Sequence, residues 1–216
     1  MPVPAQKPST SPISLRHRPT PRTAQLLVGL VLFGVGEGLI MAAGLGVLPW
    51  DVLSQGLVKH FGLTVGAWSV IIGVSVLLLW IPLRERPGVG TILNALIIGP
   101  VLDATLHVVS PPGAAEVQVA MLVVGVLING VASAIYIGAR LGPGPRDGVM
   151  TALVRITGRS VRLVRTSIEV TVVIVGFALG GNLGVGTLLY ALAIGPIIHA
   201  TLPYVLARDD RPPELT

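Results

Sequence analysis

The stretch GVGTILNALIIGPVLDATL, residues 88–106, decides the fold because a close copy, GVGTLLYALAIGPIIHATL, follows at residues 184–202. The same offset of 96 residues aligns LGVLPWD, which begins at Leu45, with LGPGPRD, which begins at Leu141. Matches at Gly, Pro, Asp and Thr continue in one ungapped register between residues 34 and 202, and a merely hydrophobic chain would rarely produce them. We interpret the chain as an internal duplication.

The composition indicates a membrane protein. Of 216 residues, 52% are hydrophobic and only 12% are charged, and the mean hydropathy is +0.82, which is too apolar for a soluble domain. The net charge of +5 comes from basic residues that lie between apolar segments, so no nucleic-acid partner is expected. The chain has no cysteine, which excludes disulfides and thiolate metal sites, and we expect neither a metal nor another cofactor.

Six apolar segments have about the 20 residues that cross a bilayer. They are predicted at residues 24–43, 66–83, 90–109, 117–139, 163–181 and 187–206. The fold class is therefore an all-α polytopic membrane protein. Its predicted divisions are a disordered cytoplasmic tail at 1–22, repeat 1 at 23–109, repeat 2 at 110–206 and a cytoplasmic tail at 207–216.

The distribution of Lys and Arg orients the six predicted spans. With both termini in the cytoplasm, fourteen of the fifteen Lys and Arg residues lie inside, and only Lys59 lies outside. Trp50, Trp68 and Tyr190 then fall near the outer interface. Each repeat holds three spans, so the second repeat enters the membrane from the side opposite to the first. This arrangement predicts two inverted repeats.

The segments LGVLPWDVLSQGL and WIPLRERPGVGTILN resemble the YczE/YyaS/YitT-type integral membrane proteins of bacteria. The resemblance covers about residues 30–106, and the second half is a weaker echo of it. It implies a multi-span protein of the bacterial cytoplasmic membrane, and it brings no catalytic residues with it. The sequence also lacks HExxH and GxSxG motifs, so we do not expect an enzyme.

Polar residues and helix breakers inside the spans are the candidates for a substrate or ion pathway. An ionised Glu37 within the first span is unfavourable in lipid by about 2.5–3.5 kcal/mol, so it should face protein or water and can take up a proton. The Gly-Pro pairs of the third and sixth spans should kink both helices, in a functional role or merely as packing kinks. The candidates are Glu37, Asn94, Gly99, Pro100, Asn129, Ser133, Gly195 and Pro196.

A short helix follows each proline of the LGxxPxD motifs. Asp51 and Asp147 are placed to cap these helices, which either lie at the interface or re-enter the membrane as gates. The loop and gate candidates are Pro49, Trp50, Asp51, Pro145, Arg146 and Asp147.

The two GVGT segments predict tight turns in which Thr caps the following helix. The turn residues are Gly88, Gly90, Thr91, Gly184, Gly186 and Thr187. A phosphate cradle is disfavoured because no Lys is adjacent and no strand precedes the turn.

Two functions remain open. The first is a secondary transporter or permease for a small solute or ion, with Glu37 responding to a proton or cation. The second is a regulatory or accessory protein that binds a partner through the Arg-rich inner loop, residues 140–165, without transport.

Gly34 and Gly38 permit close helix packing, either within one chain or in a homodimer. Glu169 lies one turn after Arg165 and is interpreted as a local ion pair.

Overall fold

A computed structural model describes residues 19–207, which form eight helices and no strand. The helices are α1 Pro19–Ala42, α2 Pro49–Phe61, α3 Val65–Leu83, α4 Val89–Val108, α5 Ala115–Gly138, α6 Pro145–Thr157, α7 Val161–Ala178 and α8 Val185–Val205. The first helix begins four residues inside the predicted tail at 1–22. The rest of that tail, and all but the first residue of the tail at 207–216, lie outside the described residues.

Five helices are long and apolar enough to cross a membrane, namely α1, α3, α4, α5 and α8. The fifth predicted span, residues 163–181, corresponds to α7, whose 18 residues include three charged ones, Arg162, Arg165 and Glu169. Because of these charges α7 does not join the five candidate spans. The short helices α2 and α6 have 13 residues each and begin with a proline in the first turn, where a missing N–H is harmless.

The duplication extends to the secondary structure. Helices α5 and α6 begin and end 96 residues after α1 and α2, and helices α7 and α8 begin 96 residues after α3 and α4. Their loops agree as well, since Gly46 and Gly142 at repeat-related positions both have a positive φ, of 123° and 131°. The repeated letters therefore correspond to repeated local conformations.

Helix α1 packs antiparallel against its repeat mate α5. Gly29, near the start of α1, faces Tyr136, near the end of α5, whereas Gly36 faces Asn129 and Gly125. A Cβ atom on Gly36 would lie only 2.8 Å from the Asn129 backbone nitrogen, so glycine is required for this approach.

The halves also exchange reciprocal hydrogen bonds at the GVGT turns. Gly90 N–H donates to Leu141 O at 2.9 Å, and the repeat-related Gly186 N–H donates to Leu45 O at 2.7 Å. The predicted caps are present, because Thr91 Oγ1 accepts from Gly88 N–H and Thr187 Oγ1 accepts from Gly184 N–H. The two bonds to the carbonyls occupy the Gly90 and Gly186 N–H groups, which leaves them unavailable to a phosphate.

Each short helix packs on a helix of the other half. Helix α2 packs on α7, where Gly176 lies directly against the Leu53 backbone. Helix α6 packs on α3, where the fully buried Trp80 covers Gly148 and donates from Nε1 to Pro145 O at 2.9 Å. The two halves are therefore interlocked.

The halves differ in one packing contact. Helix α3 packs closely against α4, with Gly66 against Gly99, whereas α7 makes no comparable packing with α8. The space beside Gly195, the repeat mate of Gly99, is open. Helices α4 and α8 continue without interruption through Pro100 and Pro196, so neither proline ends its helix.

Candidate functional site

A central cavity of about 170 Å³ lies where all eight helices converge. The four repeat-related helix pairs and the two loops that precede α2 and α6 all contribute residues, so both repeats form its wall. The charged and polar residues of the lining are Glu37, Ser69, Asn94, Ser133, Arg146, Asp147, Arg165 and Glu169, and its aromatic residues are Phe33, Trp50, Tyr136 and Tyr190.

The lining residues occur largely as repeat mates. Eight such pairs face the same cavity, and they are Glu37 with Ser133, Leu48 with Gly144, Pro49 with Pro145, Trp50 with Arg146, Ser69 with Arg165, Gly73 with Glu169, Asn94 with Tyr190, and Ile98 with Ile194. The second member carries the charge in three of these pairs. The two halves therefore contribute equivalent positions to the cavity wall, but most of its charged residues belong to the second half.

Glu37 is a buried carboxyl inside this site, with 1% of its surface exposed. It stands between Gly36 and Gly38, whose close contacts with α5 and α4 draw both helices against α1 and keep its side chain within the protein. Neither of its carboxyl oxygens has a hydrogen-bond partner among the described residues. A buried carboxyl in this condition must take up a proton or a cation to avoid an isolated charge.

Asp51 lies beside Glu37 and is completely buried. The prediction that Asp51 caps α2 is wrong, because the N-cap residue is Leu48 and no oxygen of the Asp51 carboxyl has a hydrogen-bond partner in the described part of the chain. Burial raises the pKa of the Asp51 carboxyl, while the neighbouring Glu37 carboxyl and Arg146 guanidinium oppose that shift. Glu37 and Asp51 thus form a pair of buried acids.

Trp50 and Arg146 bring the first turns of α2 and α6 together. The Arg146 guanidinium carbon lies 4.7 Å from the Trp50 ring centroid, which is the geometry of a cation–π contact. Pro49 and Pro145 are buried just beside them and also line the cavity. Trp50 and Tyr190, which the sequence predicts near the outer interface, both line the cavity.

Arg165 and Glu169 form the expected ion pair, with Nε 2.9 Å from Oε1. Sequence reasoning missed their location, because the pair also lines the cavity beside Asp147. Burial raises the pKa of the half-buried Asp147 carboxyl, and the Arg165 guanidinium opposes the shift most strongly among its neighbours. The signal available in the sequence was the charge itself, carried on an otherwise apolar helix.

Asn129 holds α1, α5 and α8 together just outside the lining. Its Nδ2 donates to Phe33 O at 3.1 Å, and its Oδ1 accepts from the Tyr190 hydroxyl at 3.0 Å. Ser133 donates to Asn129 O at 2.8 Å, one turn away on the same helix. Asn129 therefore positions Tyr190 rather than facing the cavity itself.

The Gly-Pro candidates lie away from the lining. Gly99 is buried between α3 and α4, whereas Pro100, Gly195 and Pro196 are exposed on the outer surface of their helices.

The arginines of the Arg-rich loop, residues 140–165, do not form one surface cluster, because Arg146 and Arg165 face the cavity and Arg155 binds Glu85 at 2.8 Å. Among residues 19–207, no group of three or more His, Cys, Asp or Glu residues could hold a metal ion.

Comparison with known proteins gives bacterial relatives of equal extent. The chain is 39% identical over 186 residues to an uncharacterized protein of Haemophilus influenzae, covering 83% of this chain and 85% of the relative. It is 34% identical over 177 residues to the uncharacterized membrane protein YczE of Bacillus subtilis, covering 81% and 82%. It is 29% identical over 182 residues to the uncharacterized protein YyaS of the same organism, covering 82% and 90%.

These relatives confirm the resemblance to YczE and YyaS, and with the five apolar helices they identify a membrane protein. No solved structure matches the chain. The model of a family of unknown function, DUF6198, matches residues 20–203, a range that includes every residue of the cavity lining. The chain belongs to the DUF6198 family.

Proposed function

We propose that this protein is a secondary transporter, or permease, of the bacterial cytoplasmic membrane that moves a small solute or ion between two inverted three-span repeats. The central cavity is its substrate site, and Glu37 is the group that responds to a proton or cation. The observation that carries the proposal is the cavity itself, which lies among apolar helices and is lined by charged, polar and repeat-related residues of both halves. Binding sites of transporters lie at such repeat interfaces.

The packing of the long helices supports the inverted topology. Helices α1 and α5 are repeat mates and run antiparallel, as a two-fold axis in the membrane plane requires. Helix α7 completes the set of six spans as the fifth in chain order, since 18 residues extend about 27 Å. Its Arg165 and Glu169 line the cavity, so these two charges need not face lipid.

The two short helices support a re-entrant arrangement. In the inverted topology α2 begins from the outer side and α6 from the inner side, yet Trp50 and Arg146 in their first turns are in contact. Both helices must therefore dip into the membrane to meet at the cavity. Irregular backbone is tolerated at such depth only where protein or a water-filled cavity surrounds it, and here the loops before both helices pack on the opposite half.

The accessory function draws less support from the structure. It depends on an arginine cluster that presents itself to a partner on the inner side. Arg146 and Arg165 instead face the cavity, and Arg155 is engaged by Glu85. The loop thus retains fewer arginines for a partner than its sequence suggests, which favours transport.

Single cysteines test the proposal, because the natural chain contains none. His60→Cys and Ile156→Cys occupy repeat-related, exposed positions near the ends of α2 and α6. A membrane-impermeant maleimide should label His60→Cys in intact cells and Ile156→Cys only in inverted vesicles. Labelling of both variants from one side would refute the inverted topology.

Ser69→Cys tests access to the cavity, with Leu78→Cys as a control on the lipid-facing surface of the same helix. Under alternating access, a small methanethiosulfonate reagent should modify Ser69→Cys from either side of the membrane and should not modify Leu78→Cys. A Ser69→Cys variant that resists the reagent from both sides would show a closed scaffold and would overturn the transport proposal.

A further inference from the structure

We propose that the ligand of the central cavity is a small monovalent organic cation, such as an alkylammonium, which binds beside Glu37 in exchange for one proton. This inference rests on the proposed function and names its substrate class and coupling ion. Four features of the cavity carry it, namely its charge balance, the unpartnered Glu37 carboxyl, its aromatic wall and its size.

The charge balance favours a cation. Three carboxyl groups line the cavity, those of Glu37, Asp147 and Glu169, and Asp51 lies behind them beside Glu37, but only two guanidinium groups line it, those of Arg146 and Arg165. Arg165 is committed to Glu169 in the ion pair described above. A neutral or anionic ligand would leave the excess of buried acid uncompensated, whereas a proton or a monovalent cation reduces it.

Glu37 provides the point of attachment. It combines 1% exposure with a position in the cavity lining and two oxygens that no described residue satisfies. Asp51 faces it from α2, Arg146 acts on it from α6, and the Tyr190 hydroxyl lies near it from α8. Two adjacent buried acids do not readily ionise together, so the pair holds one proton until another positive charge replaces it.

The aromatic wall distinguishes an organic cation from a bare metal ion. Phe33, Trp50, Tyr136 and Tyr190 line the cavity, which makes four of the nine aromatic residues in the whole chain. Aromatic faces attract ammonium and guanidinium groups, and the Arg146 side chain over Trp50 already shows one ring in contact with an organic cation. Hard metal ions require several oxygen ligands in place of such faces.

The volume limits the ligand to a small molecule. The cavity of about 170 Å³ is slightly larger than an engineered apolar cavity of about 150 Å³ that binds benzene. A ligand of about five to seven non-hydrogen atoms therefore fits without rearrangement. Binding of the cation and loss of the proton from the Glu37 and Asp51 pair balance in charge, so the exchange is electrically neutral at the site.

The test compares three probes of similar shape on the purified full chain in detergent. They are tetramethylammonium as the cation, tert-butanol as the neutral molecule and trimethylacetate as the anion. Calorimetry in two buffers of different ionisation enthalpy measures both the affinity and the protons released. We expect only tetramethylammonium to bind, with one proton released per ligand. Its apparent Kd should fall about tenfold for each unit rise in pH, as long as the Glu37 and Asp51 pair still holds its proton in the free protein.

Glu37→Gln should weaken tetramethylammonium binding at least tenfold and abolish proton release. Glu116→Gln, on the exposed first turn of α5, removes the same charge outside the cavity and should leave both unchanged. Should Glu37→Gln fail to fold, the three probes on the natural chain still decide. Binding of tert-butanol or trimethylacetate, binding of tetramethylammonium without proton release, or no binding by any probe would overturn this inference. The access of reagents to Ser69→Cys would still report separately on transport.

Discussion

Gly99 and Gly195 occupy equivalent positions in the two repeats, yet we expect their replacement by alanine to have different effects. Gly99 lies where α4 meets α3. A Cβ atom added there would overlap the Gly66 carbonyl oxygen and lie 2.8 Å from Val70 Cγ2. A Cβ atom added at Gly195 would have no heavy atom within 4 Å, because α7 does not cover this face of α8.

The difference in free energy of unfolding between the two variants does not include the contribution of helix propensity, because that contribution is the same in both. Each substitution gains the higher helix propensity of alanine, which is about 1 kcal/mol in a helix interior. Gly99→Ala alone must also separate two closely packed backbones, and overpacking of this kind destabilises by about 1–3 kcal/mol. Gly99→Ala should therefore have a free energy of unfolding about 1–3 kcal/mol lower than Gly195→Ala.

Unfolding of the two purified variants in a denaturing detergent series, followed by tryptophan fluorescence, measures this difference. If the two variants are equally stable because Gly195→Ala also destabilises the protein, the exposed face of α8 is covered, either by α7 or by a second copy of the chain. If they are equally stable because Gly99→Ala does not destabilise the protein, α3 and α4 do not approach each other as described.

Two further substitutions test the contacts between the halves. Thr187→Val should destabilise the protein by about 1–3 kcal/mol more than Thr91→Val. The reason is that Thr187 Oγ1 also accepts from the buried Val47 N–H at 3.2 Å, and the variant removes this acceptor. Thr91 has no such second donor, because the repeat mate of Val47 is a proline without an N–H. Equal losses in denaturation would refute that asymmetry. Trp80→Phe should lower the free energy of unfolding by about 1 kcal/mol, since it removes the buried hydrogen bond from the indole Nε1 to Pro145 O; an unchanged value would show that α6 is held on α3 by other contacts.

The sequence predicts the long helices well because their signal is local. Apolar runs of sufficient length mark five of the helices, and the offset of 96 residues correctly relates the helix starts in the two halves. Reciprocal matches such as Leu45 with Leu141 pointed to equivalent loops. The reason that these loops are equivalent was not visible, because each binds the GVGT turn of the other half over a long distance in sequence.

The candidate site was predicted only in part, since its assembly depends on contacts between distant segments. Glu37 attracted attention because a carboxylate inside an apolar helix is unfavourable wherever that helix lies. Trp50 and Arg146 were both among the loop and gate candidates, but their contact depends on how two short helices from different halves pack together, which hydrophobic periodicity does not encode. Tyr190 gave no signal, because an aromatic residue near a helix end is equally typical of a membrane interface.

The unequal packing of the halves has its origin in two substitutions on one helix. Gly66 and Gly73 of α3 lie directly against α4, and their repeat mates on α7 are Arg162 and Glu169. Long charged side chains cannot occupy the sites at which two backbones touch, so α7 cannot approach α8 as α3 approaches α4. The same change that supplies the cavity with charge therefore also opens its wall between α7 and α8. A duplicated chain acquires in this way one closely packed half and one looser half, and in the proposed transporter the looser half is where a ligand would enter.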